Sequence, residues 1–170
     1  MAEQNNGDGL TKFENEIKNA LSGDMMENAL DFVAYLMANG MTHEAHTNVF
    51  NCLGKDVCCI TLDGDAHPCG PWSIYWGDFD VCEHDGFKVD KQLKEFALAH
   101  IHFCSTYKHK TIPHCDNSPG KRKKIFGNEY ENVCTSSLQF SIPDAEALGN
   151  IKKLVELRKR NIISEIKCPG

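Results

Sequence analysis

The sequence predicts an α+β protein with a mainly antiparallel sheet of about four or five strands, helices near both termini and one inserted helix. Apolar residues recur at helical spacing near the start of the chain and again near its end. Between these regions lie β-rich runs separated by glycine-containing turns. Strands and helices that are segregated along a chain, rather than strictly alternating, are typical of α+β folds.

Two helices are predicted in the amino-terminal part of the chain. Apolar residues of the first recur at intervals of three and four, namely Leu10, Phe13, Ile17 and Leu21. Gly23 is expected to end this helix, Asp24 to cap the second, and Gly40 to follow the second as its left-handed residue. Residues 1–9 are polar and are predicted to be a disordered tail before a single globular domain of residues 10–170.

The middle of the chain predicts an antiparallel meander that follows a turn over residues 41–45. Its three β-rich runs cover residues 46–53, 57–62 and 72–76. A third helix is predicted from Asp90, its N-cap, to about residue 103. Residues 105–124 are predicted to form a long polar loop. A last strand over residues 133–142 is expected to lead into a final helix after Pro143 and Asp144.

The charge distribution bears on the class of partner. The chain of 170 residues has a net charge of −6, which argues against bare nucleic acid as its main partner. Residues 1–100 carry 17 acidic and 6 basic side chains, whereas residues 101–170 carry 7 acidic and 12 basic ones. This asymmetry predicts either two halves that attract each other in the folded chain or an anionic partner for the second half.

The cysteines and the apolar segments bear on the cellular compartment. The nine cysteines include no C-x-x-C pair, which excludes the thioredoxin-type motif and the ordinary zinc knuckle. The first nine residues lack the apolar segment of a signal peptide, and the most apolar stretch, residues 29–38, is too short to span a bilayer. We therefore expect a cytoplasmic protein without membrane attachment, whose thiols are reduced, buried or bound to metal.

A stretch rich in cysteine and histidine, residues 100–134, predicts one structural zinc site. The expected ligands are His100, Cys104, Cys115 and Cys134. If the third helix reaches residue 103, His100 and Cys104 lie four residues apart on one helix face. His109 or His114 could replace one of the four ligands. The alternative is that His100 and Cys104 are core residues, since cysteine is among the most often buried residue types.

The basic run after Pro119 predicts an anion-binding loop at residues 118–124. Backbone amides beside Gly120, together with Lys121, Arg122 and the two lysines that follow, could bind a phosphate or an acidic partner. The Walker pattern is absent, because no Ser or Thr follows Lys121. The alternative is a solvated surface loop, which is what most charge runs are.

Two further patterns offer other functions. Trp72, Ile74 and Trp76 share one face of a predicted strand and could line a small-molecule pocket, although paired tryptophans often belong to the core. The Cys/His neighbours Cys82 with His84 and His114 with Cys115 could supply an activated thiolate. No nucleophile motif such as G-x-S-x-G is present, so the sequence favours a protein that is not an enzyme.

The carboxyl-terminal part of the chain carries several short motifs. They are SPGK at 118–121, IFG at 125–127, NVC at 132–134, LQFxxPD at 138–144 and IKKLVELRK at 151–159. Together they resemble the closing half of a family of small, uncharacterised bacterial proteins, over roughly the last 70 residues. The resemblance implies a bacterial domain of unknown function with cysteines near Cys104, Cys115 and Cys134. A further family cysteine, three residues after the first, is replaced here by Tyr107.

These observations give one leading expectation and two alternatives. The leading expectation is a cytoplasmic binding or interaction domain with one structural zinc ion. The first alternative is a domain that binds a small molecule beside the strand of residues 72–76. The second, which is less favoured, is a thiol-dependent enzyme.

Overall fold

The computed structural model describes residues 3–64, 69–76, 89–104 and 119–167, which contain four helices and seven strands. The helices are α1 (Glu3–Ala20), α2 (Gly23–Ala38), α3 (Lys91–Leu98) and α4 (Ala145–Lys167). The strands are β1 (Thr42–Glu44), β2 (Val49–Cys52), β3 (Lys55–Leu62), β4 (Trp72–Trp76), β5 (Ile101–Phe103), β6 (Lys121–Ile125) and β7 (Asn128–Ser141). The predicted α+β class is confirmed, and the predicted number of strands is too low.

The seven strands form one sheet in the order β1-β2-β3-β4-β7-β5, and β6 pairs with β7 outside this path. The β1–β2, β2–β3, β5–β7 and β6–β7 pairs are antiparallel. The predicted turn over residues 41–45 is wrong, since Thr42, His43 and Glu44 pair with Asn51, Phe50 and Val49. Three residues are too few to give an alternating pattern, so only the pairing with β2 identifies this strand.

The two helix boundaries predicted near the start need correction. Helix α1 begins at Glu3, within the nine residues predicted to form a disordered tail, and the disorder of that tail stays a prediction. Once a helix has nucleated, each added turn is inexpensive even in a polar sequence. The N-cap of α2 is Ser22 rather than Asp24, which lies in the first turn. Gly40 has a left-handed φ of 80° and donates its N–H to the carbonyl of Met37, as predicted for a residue after a helix.

Helix α3 has the predicted start but ends earlier than predicted. The Asp90 carboxylate accepts a hydrogen bond of 2.8 Å from the backbone N–H of Leu93, which confirms the cap. The helix ends at Leu98, and Ile101 and Phe103 belong to β5, opposite Leu138 and Val133 of β7. Pairing with β7 overrides a helical pattern that contains β-favouring Ile and Phe.

The predicted loop over residues 105–124 is wrong from Lys121 onward, because β6 begins there. Lys123 and Ile125 of β6 are buried while their neighbours are exposed. Phe126 and Gly127, with φ of 48° and 82°, form the turn to β7, and a pair of positive φ angles is typical of a tight hairpin. Four consecutive cations conceal this strand in the sequence, since lysine is depleted in strands.

The chain divides into two compact units. Unit 1 comprises residues 1–74 and 141–170, and unit 2 comprises residues 75–140. The prediction of a single domain stays a prediction. No helix in the described ranges has the length and apolar character needed to cross a membrane.

Unit 1 buries apolar side chains from three helices and the first strands. Its fully buried large residues include Phe13, Ile17, Phe32, Leu36, Phe50, Ile60 and Trp72. Polar contacts fix α4: the Tyr35 hydroxyl donates to Glu156 Oε1 at 3.0 Å, and burial raises the pKa of Tyr35. The half-buried Lys152 pairs with Asp31 at 2.6 Å.

Unit 2 has an aromatic core on one face of β7. The Phe96 and Phe140 rings stack with centroids 5.5 Å apart and an interplanar angle of 6°. Trp76 approaches Phe140 edge-on, with centroids 6.4 Å apart. Such stacked and edge-on pairs contribute about 0.5–1.5 kcal/mol each beyond their buried area. This cluster docks α3 on the sheet.

The Asp90 cap gives a test of the α3 boundary. We expect Asp90→Ala to lower the free energy of unfolding by about 1 kcal/mol, since the Leu93 N–H loses its acceptor. Asp90→Asn keeps an acceptor and should cost less. Urea denaturation of the three proteins measures the difference, and equal stabilities would contradict the assigned cap.

Candidate functional site

The segment of residues 105–118 leaves the described fold beside Asn132. The backbone N–H of Cys104 donates to the carbonyl of Asn132 at 2.8 Å. The side-chain amide of Asn132 donates in return to the carbonyl of Cys104, also at 2.8 Å. Asn132 has a left-handed φ of 59°, a conformation that asparagine tolerates better than most residues. The residue is therefore suited to hold Cys104 with both its backbone and its side chain.

The same segment returns to the fold at Gly120, which also lies against Asn132. A Cβ atom on Gly120 would lie about 2.4–2.7 Å from the Oδ1, C and O atoms of Asn132. Only glycine permits this approach. The packing against Asn132 therefore explains the glycine at position 120 without any role in phosphate binding. We call Cys104, Gly120 and Asn132 the Asn132 clasp. It brings both ends of the segment to one residue of β7.

Two of the four predicted zinc ligands lie at the Asn132 clasp. Cys104 is half-buried and belongs to the clasp, and Cys134 is buried two residues beyond Asn132 on β7. The fold thus places these two cysteines on neighbouring chain segments although 30 residues separate them in sequence. Cys115, together with the substitute ligands His109 and His114, lies outside the described residues.

His100 is not held on a helix face as predicted. It follows the end of α3, so the assumed helical spacing between His100 and Cys104 is wrong. Its ring packs 4.6 Å from the Phe96 ring and 4.9 Å from the Phe140 ring, between centroids. Its Nδ1 lies 2.7 Å from the Phe96 carbonyl, which only accepts, so Nδ1 donates its N–H to that carbonyl.

The described residues hold no group of three or more His, Cys, Asp or Glu side chains that could bind a metal ion. His100, Cys104 and Cys134 are therefore not gathered into a ready-made triad. A closed tetrahedral site needs four ligands around one ion. Completing such a site requires side chains from residues 105–118 and rearrangement of those at the Asn132 clasp.

Two cysteines of β3, in unit 1, have a different environment from Cys104. Burial raises the pKa of the Cys58 thiol, and burial with the nearby Asp63 and Asp56 raises the pKa of Cys59 to about 12. Cys59 donates its thiol hydrogen to the Thr47 carbonyl at 3.2 Å. Because the thiolate is the nucleophile, these two thiols are unsuited to catalysis. The Cys/His neighbours at residues 82–84 and 114–115 lie outside the described residues.

The basic run is a strand whose cations have different environments. Arg122 forms an ion pair of 2.5 Å with Glu131, and Lys124 lies opposite Glu129 in the β6–β7 register. Lys121 is exposed. Lys123 is buried, with 7% of its surface exposed, so it is not available to an incoming partner. The positive field of the predicted anion site is thus partly neutralised by β7 itself.

A polar group on β7 and its neighbours was not predicted from the sequence. Lys123 Nζ donates to the Thr135 carbonyl at 2.7 Å and lies 3.3 Å from Ser137 Oγ. Gln139 donates to the Tyr75 hydroxyl at 3.2 Å. The available signal is the polar alternation of residues 135, 137 and 139 on a strand whose intervening residues are apolar or small. Of these three residues, Ser137 is buried, and Thr135 and Gln139 are half-buried.

Strand β4, which carries Trp72, Ile74 and Trp76, is buried. Trp72 and Ile74 of unit 1 and Trp76 of unit 2 are each at most 1% exposed. Such burial is typical of core packing, in which the indole rings contact other side chains. The Nε1–H of Trp72 has no hydrogen-bond acceptor among the described residues. A buried N–H without an acceptor costs about 1–3 kcal/mol, so this atom is the one feature of the strand that suits a ligand.

A scan against protein-family models and searches of curated proteins and of solved structures each found no match to this chain. The resemblance of residues 118–159 to uncharacterised bacterial proteins stays a prediction. The function is therefore inferred from the chemistry of the residues described above.

The close approach at the Asn132 clasp gives a second prediction. Gly120→Ala should destabilise the protein by about 1–3 kcal/mol, because its Cβ would overlap backbone atoms of Asn132. The matched control is Gly149→Ala in α4, where no atom lies within 4 Å of the new Cβ. This control should stabilise by about 0.5–1 kcal/mol through helix propensity. Thermal and urea unfolding measure both, and a neutral Gly120→Ala would contradict the clasp.

The two environments within the basic run give a third prediction. Lys123→Met should lower the free energy of unfolding by about 1–3 kcal/mol, since it removes buried hydrogen bonds to Thr135 and Ser137. Lys124→Met changes an exposed neighbour and should stay within about 0.5 kcal/mol of the unmodified protein. Equal effects of the two substitutions in chemical denaturation would contradict the buried position of Lys123.

Proposed function

We propose that this chain is a cytoplasmic, non-enzymatic binding domain in which one structural zinc ion holds the segment 105–118 on the Asn132 clasp. The supporting observation is that Cys104 is hydrogen-bonded to Asn132, which precedes Cys134 by two residues on β7, although Cys104 and Cys134 are 30 residues apart in sequence. A structural zinc ion commonly joins two such chain segments and contributes directly to folding.

The proposed ligand set is the one that the sequence predicts. Cys104 and Cys134 supply two thiolates from the described fold, and Cys115 supplies a third from the segment. His100 supplies the nitrogen through Nε2. Its Nδ1–H bond to the Phe96 carbonyl supports this role, because metal-binding histidines almost always donate their other ring N–H in this way. His109 or His114 is the substitute if His100 stays between its aromatic neighbours.

The segment itself is the proposed binding element. It carries Lys108 and Lys110, and the exposed Lys121 follows its return to the fold. The proposed partner is therefore an anionic protein or ligand that contacts residues 118–124 and the adjoining segment. The net charge of −6 disfavours nucleic acid, and no membrane partner is proposed.

A second candidate function is small-molecule binding beside Trp72. The observation in its favour is the buried indole N–H, which has no acceptor among the described residues. A ligand with an acceptor at this atom would change the Trp72 fluorescence. Titration of the Trp76→Phe variant, with Trp72 as its remaining tryptophan, tests the idea against a metabolite mixture. An unchanged spectrum throughout would remove this candidate.

Zinc content gives the fourth prediction. Protein purified without added chelator should contain about one zinc ion per chain, and a chelator should lower its unfolding midpoint. Cys104→Ser and Cys134→Ser should each lose the metal, because serine is a poor zinc ligand. The matched control is Cys69→Ser, a half-buried cysteine of unit 1, which should keep it. Elemental analysis measures the zinc content of the unmodified protein and of the three variants. Absence of zinc from the unmodified protein would overturn the proposal.

A further inference from the structure

His43 of β1 has an unusual environment in unit 1. Its side chain is 95% buried, since only 5% of its surface is exposed. The ring lies between two phenylalanines, with centroids 5.1 Å from Phe13 of α1 and 4.9 Å from Phe50 of β2. Neither ring nitrogen forms a hydrogen bond of normal geometry with any described residue. Buried polar groups without hydrogen bonds are rare in folded proteins and destabilise them, so the position of His43 needs an explanation.

His43 is also a point at which α1 docks on the sheet. Phe13 stacks on the imidazole with an interplanar angle of 22°, and Ile17, one turn later, is fully buried. Four residues before Phe13, Gly9 lies against the turn after β1, where an added Cβ would come within 2.8 Å of the Ala45 Cβ. The contact of α1 with β1 therefore includes the titratable imidazole ring of His43.

The surroundings of His43 favour the neutral imidazole. Burial lowers its pKa below the ordinary value of 6.5, and the side chain of Asn48 with the carboxylates of Glu16 and Glu44 opposes this effect. Glu16, on α1, also forms an ion pair with Lys12, with Nζ and Oε1 3.8 Å apart. Glu44 lies on β1, the strand of His43 itself. From β2 the facing side chain is the apolar Phe50. A proton on His43 would thus place a charge between two aromatic rings at a buried position, where desolvation outweighs the favourable effects of Asn48, Glu16 and Glu44.

We propose that His43 is an acid-sensitive latch, in which protonation of the imidazole releases α1 from β1. Release lets the charged ring reach water and exposes the apolar faces of Phe13, Ile17 and Phe50. The function proposed for the Asn132 clasp does not require this latch, which lies in the other unit.

The direction of the pH dependence follows from proton linkage. A histidine with a lowered pKa in the docked state binds its proton more readily when α1 is released. The contribution of His43 to docking is complete above pH 6.5 and is lost as the pH falls below that value through the lower pKa of the docked state. One proton can raise the opening equilibrium constant by at most about tenfold per pH unit.

Hydrogen exchange of backbone amides between pH 7.5 and pH 5.0 tests the latch in the full chain. After correction for intrinsic rates, opening of α1 should increase below pH 6.5 by up to about tenfold per pH unit. Opening of α4, in the same unit, should change far less. If α1 and α4 open together, the event is global acid unfolding and the latch is refuted.

Two variants assign the effect to His43. His43→Phe keeps an aromatic ring between Phe13 and Phe50 and should remove the pH dependence of α1 exchange. His46→Gln changes an exposed histidine three residues away and should retain it. Persistence of the dependence in His43→Phe would overturn the proposal. If that variant does not fold, NMR titration of the His43 ring in the unmodified protein replaces it. The latch requires that the ring titrates over the same pH range in which α1 opens, and titration over a different range would overturn the proposal.

Discussion

Asn132 holds both ends of the 105–118 segment against β7. Its left-handed backbone turns the carbonyl and the side-chain amide toward Cys104, and its surface admits Gly120 only because glycine has no Cβ. Everything proposed for the metal and for the partner depends on this fixed base.

The clasp is also the part of the molecule that sequence patterns describe least well. The Asp90 cap and the left-handed Gly40 follow from local chemistry and were predictable. Strand β5 and the early end of α3 depend on pairing with residues of β7 that lie 30 or more positions further along the chain, and such pairing leaves no local signature. Strand β6 is concealed by four cations, one of which is buried. The cysteines could be named from the sequence, but the hydrogen bonds between Cys104 and Asn132 could not.

The two units use their cysteines and histidines differently. In unit 1, Cys58 and Cys59 are neutral buried thiols, and His43 is a neutral imidazole held between aromatic rings. In unit 2, Cys104 is half-buried and hydrogen-bonded to Asn132, and His100 donates its Nδ1–H to the Phe96 carbonyl. Residue type alone does not separate these roles. Burial and hydrogen-bond partners do, and both depend on tertiary structure.

X-ray absorption at the zinc edge of the purified full chain tests the central claim most directly, because it reports the ligand atoms around the ion. The account predicts about three sulfur atoms near 2.3 Å and one nitrogen near 2.0–2.1 Å, in a tetrahedral arrangement without bound water. A first shell made only of nitrogen and oxygen, as a surface-bound ion would show, would contradict a zinc site at the Asn132 clasp.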